Sequence, residues 1–116
     1  MDLSSFIPRT DQLRSTAESI FRQRFGRSPE VFGLAPGRVE LLGNHTDYNR
    51  GLVLSAAIDR STCVAAAQAA GDAVRVWAEN LTSADRFQLA GVSPLPHGSW
   101  SNYVRGVTAA LMDSGV

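Results

Sequence analysis

Residues 36–51 read Pro36-Gly37-Arg38-Val39-Glu40-Leu41-Leu42-Gly43-Asn44-His45-Thr46-Asp47-Tyr48-Asn49-Arg50-Gly51. The stretch lies between apolar segments and packs charged, amide and hydroxyl side chains onto a backbone punctuated by Gly37, Gly43 and Gly51. Such a cluster supplies donors, acceptors and carboxylates on a tightly turned chain. Polyhydroxyl ligands need that mixture, because each hydroxyl both donates and accepts and a carboxylate binds a hydroxyl proton with charge assistance. A solvated, turn-rich loop has the same composition. A metal site built on His45 and Asp47 would be short of ligands.

Outward from this stretch, the flanks read as strands. Val31-Phe32-Gly33-Leu34-Ala35 is short, apolar and closed by Pro36-Gly37, and Arg38 to Gly43 is a second candidate. Downstream, Leu52 to Ile58 and Thr62 to Ala67 are separated by Asp59-Arg60-Ser61, which suits a turn. Val74, Val76 and Ala78 alternate with polar or bulky neighbours, and Phe87 and Leu89 do so again. Short strands joined by short turns predict an antiparallel sheet. Leu13, Ala17, Ile20, Phe21 and Phe25 trace one face of a helix, with Thr10 as N-cap, Gly26 as stop, and Arg14, Glu18, Arg22 and Arg24 on the solvated side. Trp100, Tyr103, Val104, Val107, Ala110 and Leu111 recur at helical spacing behind Ser99 as N-cap. Helix, strands, then helix predicts an α+β fold, a mostly antiparallel or mixed sheet with flanking helices. The sequence shows no internal domain boundary.

Composition narrows the functions. The chain has 116 residues, 11 basic and 11 acidic, so no charge excess argues for nucleic acid or an anionic membrane. Every basic residue is Arg, which excludes a Schiff-base or P-loop lysine within this stretch. Cys63 alone makes no intrachain disulfide and reads as a buried small hydrophobe; His97 reads as a loop histidine without a role. No apolar run is long enough to span a bilayer, and Met1 to Ser5 lack the pattern of a signal peptide. A cytoplasmic protein is expected.

Ala35 to Asn49 resembles the galactokinase signature of the GHMP kinase superfamily, which usually runs Gly-Arg-Val-Asn-Leu-Ile-Gly-Glu-His-Thr-Asp-Tyr-Asn-Gly-Gly. Leu52 to Asp59 is similar to that family's next strand, and Trp100-Ser101-Asn102-Tyr103-Val104-Arg105-Gly106-Val107 to its Trp-x-Asn-Tyr-Val-Lys-Gly-Val helix. The resemblance implies a GHMP-kinase domain of the ribosomal protein S5 domain 2-like type. Residues 1–116 would be the N-terminal portion of its sugar-binding domain, with the phosphate loop and C-terminal domain absent. It also implies transfer of the ATP γ-phosphoryl group to the anomeric hydroxyl of galactose, with ATP and Mg2+ as cofactors and the magnesium ligands beyond this chain. By position, Arg38 would be catalytic, steadying negative charge at the transferred group. Asn44, His45, Thr46, Asp47 and Tyr48 would bind the sugar. Trp100 and Tyr103 would flank the adenine, against the competing reading of a core stripe shared with Val107 and Leu111.

Two positions depart from the pattern. The family's Asn is Glu40 here, and its Glu is Asn44. On one strand these would share a face, which predicts a compensated exchange and leaves the hexose open to a relative such as N-acetylgalactosamine. A galactokinase-like regulator that senses sugar and ATP is the alternative to an enzyme. With no phosphate loop the chain itself is expected to be inactive. Its sheet is expected to expose apolar surface and so to favour self-association.

Overall fold

The computed structural model describes residues 8–115, apart from the side chains of Pro8, Arg9 and Asp47. The reading of Met1 to Ser5 lies outside these residues. The chain divides into two compact units, the first ending at Ala67 and the second beginning at Gln68. Among the described residues no helix is long and apolar enough to cross a membrane.

The first unit is a helix on a long two-stranded ribbon. Helix α1 spans Pro8–Phe25. Thr10 lies inside it rather than capping it, because the helix already includes Pro8, and proline suits a first turn that needs no N–H. Gly26 ends it with φ 69°, its N–H donating to the carbonyl of Arg22 at 2.9 Å. That left-handed cap favours glycine. Leu13, Ala17, Ile20, Phe21 and Phe25 form the half-buried face, with the Phe21 and Phe25 rings 4.7 Å apart. Arg14, expected to be simply solvated, places its guanidinium 4.6 Å from the ring centroid of Phe32. Glu18 accepts from Arg22 at 2.7 Å.

Strands β1 (Val31–Leu42) and β2 (Leu54–Ala66) pair antiparallel along nearly their whole length. This corrects the division of each into two segments. The two expected breaks sit opposite one another: Pro36 pairs with Ser61 and Arg38 with Ala57, so Gly37 faces the three-residue bulge Ile58-Asp59-Arg60. Proline lacks a ladder donor and glycine lacks bulk, and a bulge accommodates both. A β-carbon on Gly37 would lie 3.1 Å from Ile58 Cδ1 and 3.3 Å from the Arg60 carbonyl. A second shift follows between Glu40 and Leu42, and β1 then ends. Cys63 is half-buried rather than buried. A two-stranded ribbon with one helix cannot cover both faces. Leu42, Leu52, Leu54 and Val31 stay more than half exposed.

The second unit is a hairpin with a helix. Strands β3 (Ala73–Ala78) and β4 (Ser83–Gln88) pair from Ala73 with Gln88 to Ala78 with Ser83. A 3-10 turn at Glu79–Leu81 joins them and closes on Thr82 at φ 47°. Helix α2 spans Asn102–Asp113. The N-cap position belongs to Ser101, not Ser99, and its hydroxyl makes no capping bond. The expected apolar stripe is only partly inward. Trp100 and Val104 are half-buried, but Tyr103, Val107 and Leu111 are exposed. The buried helix residues are instead Ser101 and Arg105, four apart on one face. Phe87 is the buried apolar residue of the described chain.

Candidate sugar-binding site

The polar stretch leaves β1 at Gly43, whose φ of 104° a side chain rarely adopts. Asn44 to Thr46 form a turn, Asp47–Asn49 one turn of 3-10 helix, and Arg50 returns the chain through a left-handed φ of 59°. Thr46 is the hub. Its N–H donates to the Gly43 carbonyl at 3.0 Å, and its carbonyl accepts the N–H groups of Asn49 (3.1 Å) and Gly51 (2.7 Å). Its hydroxyl lies 3.1 Å from the Gly43 carbonyl and 3.0 Å from that of Leu52. The loop thus closes on itself through the backbone and hydroxyl of one residue.

Two glycines make room for this hub. A β-carbon on Gly43 would come within 2.8 Å of Val53 Cγ1 and 2.9 Å of the Thr46 hydroxyl. One on Gly51 would collide with the Thr46 β-carbon and lie 2.9 Å from the Thr46 carbonyl. Thr46, read from the sequence as a ligand contact, has its hydroxyl proton committed to loop carbonyls.

His45 and Tyr48 are the side chains the loop brings together. His45 Nδ1 lies 3.1 Å from the Tyr48 hydroxyl, and the rings meet edge-on. Asn49 donates its side-chain amide to the His45 carbonyl at 2.9 Å, so backbone and ring of His45 are both held. Asn44, His45 and Tyr48 are exposed. The side chain of Asp47 lies outside the described set. Arg38 sits on β1 opposite Ala57, exposed, on the same ribbon face as Glu40, which is opposite Ser55. Glu40 and Asn44 do not share a strand face. A register shift follows Glu40, β1 ends at Leu42, and Asn44 belongs to the turn. The geometric basis for a compensated exchange is therefore removed.

In the second unit the aromatic pair is split. Trp100 is half-buried and donates its Nε1–H to the Ser83 hydroxyl at 3.2 Å, whereas Tyr103 is 85% exposed. Tyr103 is therefore not part of a core stripe. What anchors this helix is a polar lock the sequence reading passed over. Arg105 makes a two-pronged pair with Asp85, Nε to Oδ2 at 2.8 Å and Nη2 to Oδ1 at 3.0 Å. Its Nη1 reaches the Ser93 carbonyl at 3.0 Å, and its guanidinium lies 4.7 Å from the Phe87 ring centroid. The hydrogen bond from Arg105 holds the Asp85 carboxyl below the usual carboxylate range. Burial pulls the other way, and the Ser101 hydroxyl and the Arg86 N–H add to the lowering. Asp85 in turn raises Arg105 above its ordinary value. Asn102 adds two bonds to Leu95, accepting its N–H at 2.7 Å and donating to its carbonyl at 2.9 Å. The signal was present: Ser101 and Arg105 are one turn apart, and Asp85 shares the inward strand face with Ser83 and Phe87.

Among the described residues no three His, Cys, Asp or Glu side chains converge.

Comparison with known proteins places this geometry. The galactokinase galactose-binding signature matches residues 19–68, which include the whole loop. A galactokinase from Roseiflexus sp. (strain RS-1) is 46% identical over 95 residues, 82% of this chain and 24% of that protein. One from Chloroflexus aurantiacus is 42% identical over 98 residues, 84% and 25% of the two chains. Among solved structures, that of Lactococcus lactis galactokinase complexed with galactose superposes with a TM-score of 0.71 at 32% identity, covering 90% of this chain and 28% of that one. The chain carries the galactokinase galactose-binding signature over residues 19–68 and spans about a quarter of the length of the curated galactokinases it matches.

Proposed function

We propose that this chain is the sugar-gripping portion of an ATP-dependent galactokinase, acting in the cytoplasm, with residues 1–116 forming the N-terminal portion of the sugar-binding domain. The observation that carries the reading is the loop built around Thr46. Thr46 ties the loop together through its own N–H, carbonyl and hydroxyl, while Asn44, His45 and Tyr48 stay exposed for a ligand. A site of this kind binds by preformed geometry, with little ordering required on binding.

In this reading Asn44, His45 and Asp47 meet galactose hydroxyls, Tyr48 lines the same site beside His45, and Thr46 shapes the loop that presents them. Arg38, fixed on the ribbon that leads into the loop, steadies negative charge on the phosphoryl group passing to the anomeric hydroxyl. A guanidinium keeps its charge at any working pH, which suits that role. Trp100 and Tyr103 offer flat faces to the adenine of ATP. Magnesium would be held by residues beyond this chain. Positioning and charge stabilisation carry phosphoryl transfer, so a chain with the sugar loop alone binds without turning over.

Calorimetry of the chain with galactose, N-acetylgalactosamine and glucose tests the reading. Saturable uptake of galactose, with no release of ADP when ATP and Mg2+ are added, is expected. Equal indifference to all three sugars would defeat it.

A further inference from the structure

We propose that Tyr48 is a positioning residue that sets the tautomer of His45, so that His45 meets a sugar oxygen as an Nε2–H donor. This rests on the galactose reading of the same loop. The observations are the 3.1 Å approach of the Tyr48 hydroxyl to His45 Nδ1 and the edge-on rings, 82° between planes. The side-chain amide of Asn49 adds its bond to the His45 carbonyl.

A neutral imidazole carries one proton, so one ring nitrogen donates and the other accepts. The bond at Nδ1 decides which. A phenol, with a pKa near 10, is much the better O–H donor, and its oxygen lone pairs, drawn into the ring, are poor acceptors. The unprotonated imidazole nitrogen is the stronger acceptor. The favoured pairing therefore runs from Tyr48 O–H to His45 Nδ1, which leaves the proton on Nε2. His45 is exposed, so that N–H is open to a ligand oxygen. Tyr48 is 70% exposed, so packing does not account for an aromatic ring at this position. Its hydroxyl has a partner that gives the ring a purpose. A hydroxyl oxygen or a pyranose ring oxygen accepts such a donor, and the opposite tautomer would offer only an acceptor.

The test reads the tautomer directly. The chain labelled with 15N is examined at pH 8 by long-range proton–nitrogen correlation. His97, the other histidine, is assigned with His97→Gln. Protonated Nε2 and bare Nδ1 on His45 are expected. Tyr48→Phe keeps the ring, removes the hydroxyl, and should shift the pattern toward a mixture. Its melting temperature should stay unchanged, and its Kd for galactose should rise about three- to tenfold. A wild-type signal from protonated Nδ1, or a Tyr48→Phe spectrum like the wild type, overturns the proposal. If the wild type shows the expected tautomer but takes up no galactose, the sugar reading falls, and the role assigned to Tyr48 in recognition falls with it.

Discussion

The two units hold their key segments by opposite means. In the first, the Gly43–Gly51 loop is fixed around one small residue: the backbone and hydroxyl of Thr46 bond to carbonyls and amides, and two glycines let it sit close. Asn49 adds its side-chain amide to the His45 carbonyl, and the side chains of Asn44, His45 and Tyr48 stay exposed. In the second, helix α2 is fixed by side chains: Arg105, Asp85 and Ser101 are spent on one another and on the Ser93 carbonyl. The difference teaches where ligand chemistry belongs. Polar groups consumed by structure cannot also recognise a ligand, so a loop that stabilises itself through its main chain keeps its functional groups available.

The largest effect expected is at the lock. Arg105→Met leaves the nearly buried Asp85 carboxylate without its cation. Thermal unfolding followed by circular dichroism should show the transition lowered by about 10 °C or more. Arg105→Lys, which keeps the charge and loses the fork, should fall between that variant and wild type. A Met variant as stable as wild type would break the contrast between the two units.

A somewhat smaller effect is expected at the loop, and in binding more than in stability. Gly51→Ala forces Thr46 out of place, so the Kd for galactose should rise about tenfold or more, measured by calorimetry. Thr46→Val, which removes only the hydroxyl, should raise it about fivefold, and Thr46→Ser should restore most of the loss. If Thr46→Val bound as well as wild type, the hydroxyl would not be a structural hub.

The smallest effect is the acid response of the lock. The folded pKa of Asp85 is depressed, so its contribution is complete above the ordinary aspartate value, about 3.9, and is lost as pH falls through the lower folded value. The melting temperature should drop by a few degrees across that acidic window. Asp85→Asn, already lacking the ionised partner, should show a flatter dependence there. Parallel acid profiles for the two would remove Asp85 from the account.

The loop was legible because its chemistry is local. Gly43, Thr46 and Gly51 lie within nine residues, and the side chains that define the signature are adjacent in the chain. The apolar face of α1 and its glycine stop were legible for the same reason: helical spacing and a left-handed cap are written in neighbouring residues. The strands were not. Pro36-Gly37 and Asp59-Arg60-Ser61 each look like an ending, and only their pairing across the ribbon turns two endings into one bulge. The start of β4 was hidden as well, since Ser83 and Asp85 are polar on the inward face and make sense only beside Trp100 and Arg105.

By itself, then, the sequence determined the apolar face of α1, the α+β class and the polar loop that carries the signature, all set by contacts within a few residues. Only the tertiary structure decided that the ribbon is continuous, that Glu40 and Asn44 part company at the end of β1, and that α2 buries an arginine while exposing Tyr103. Those outcomes depend on partners 12 or more residues away, such as Leu54 for Leu42, Ser83 for Trp100, Asp85 for Arg105 and Cys63 for Leu34. The free energy of burying a polar group or tolerating a bulge depends on what lies across from it, which local pattern does not specify.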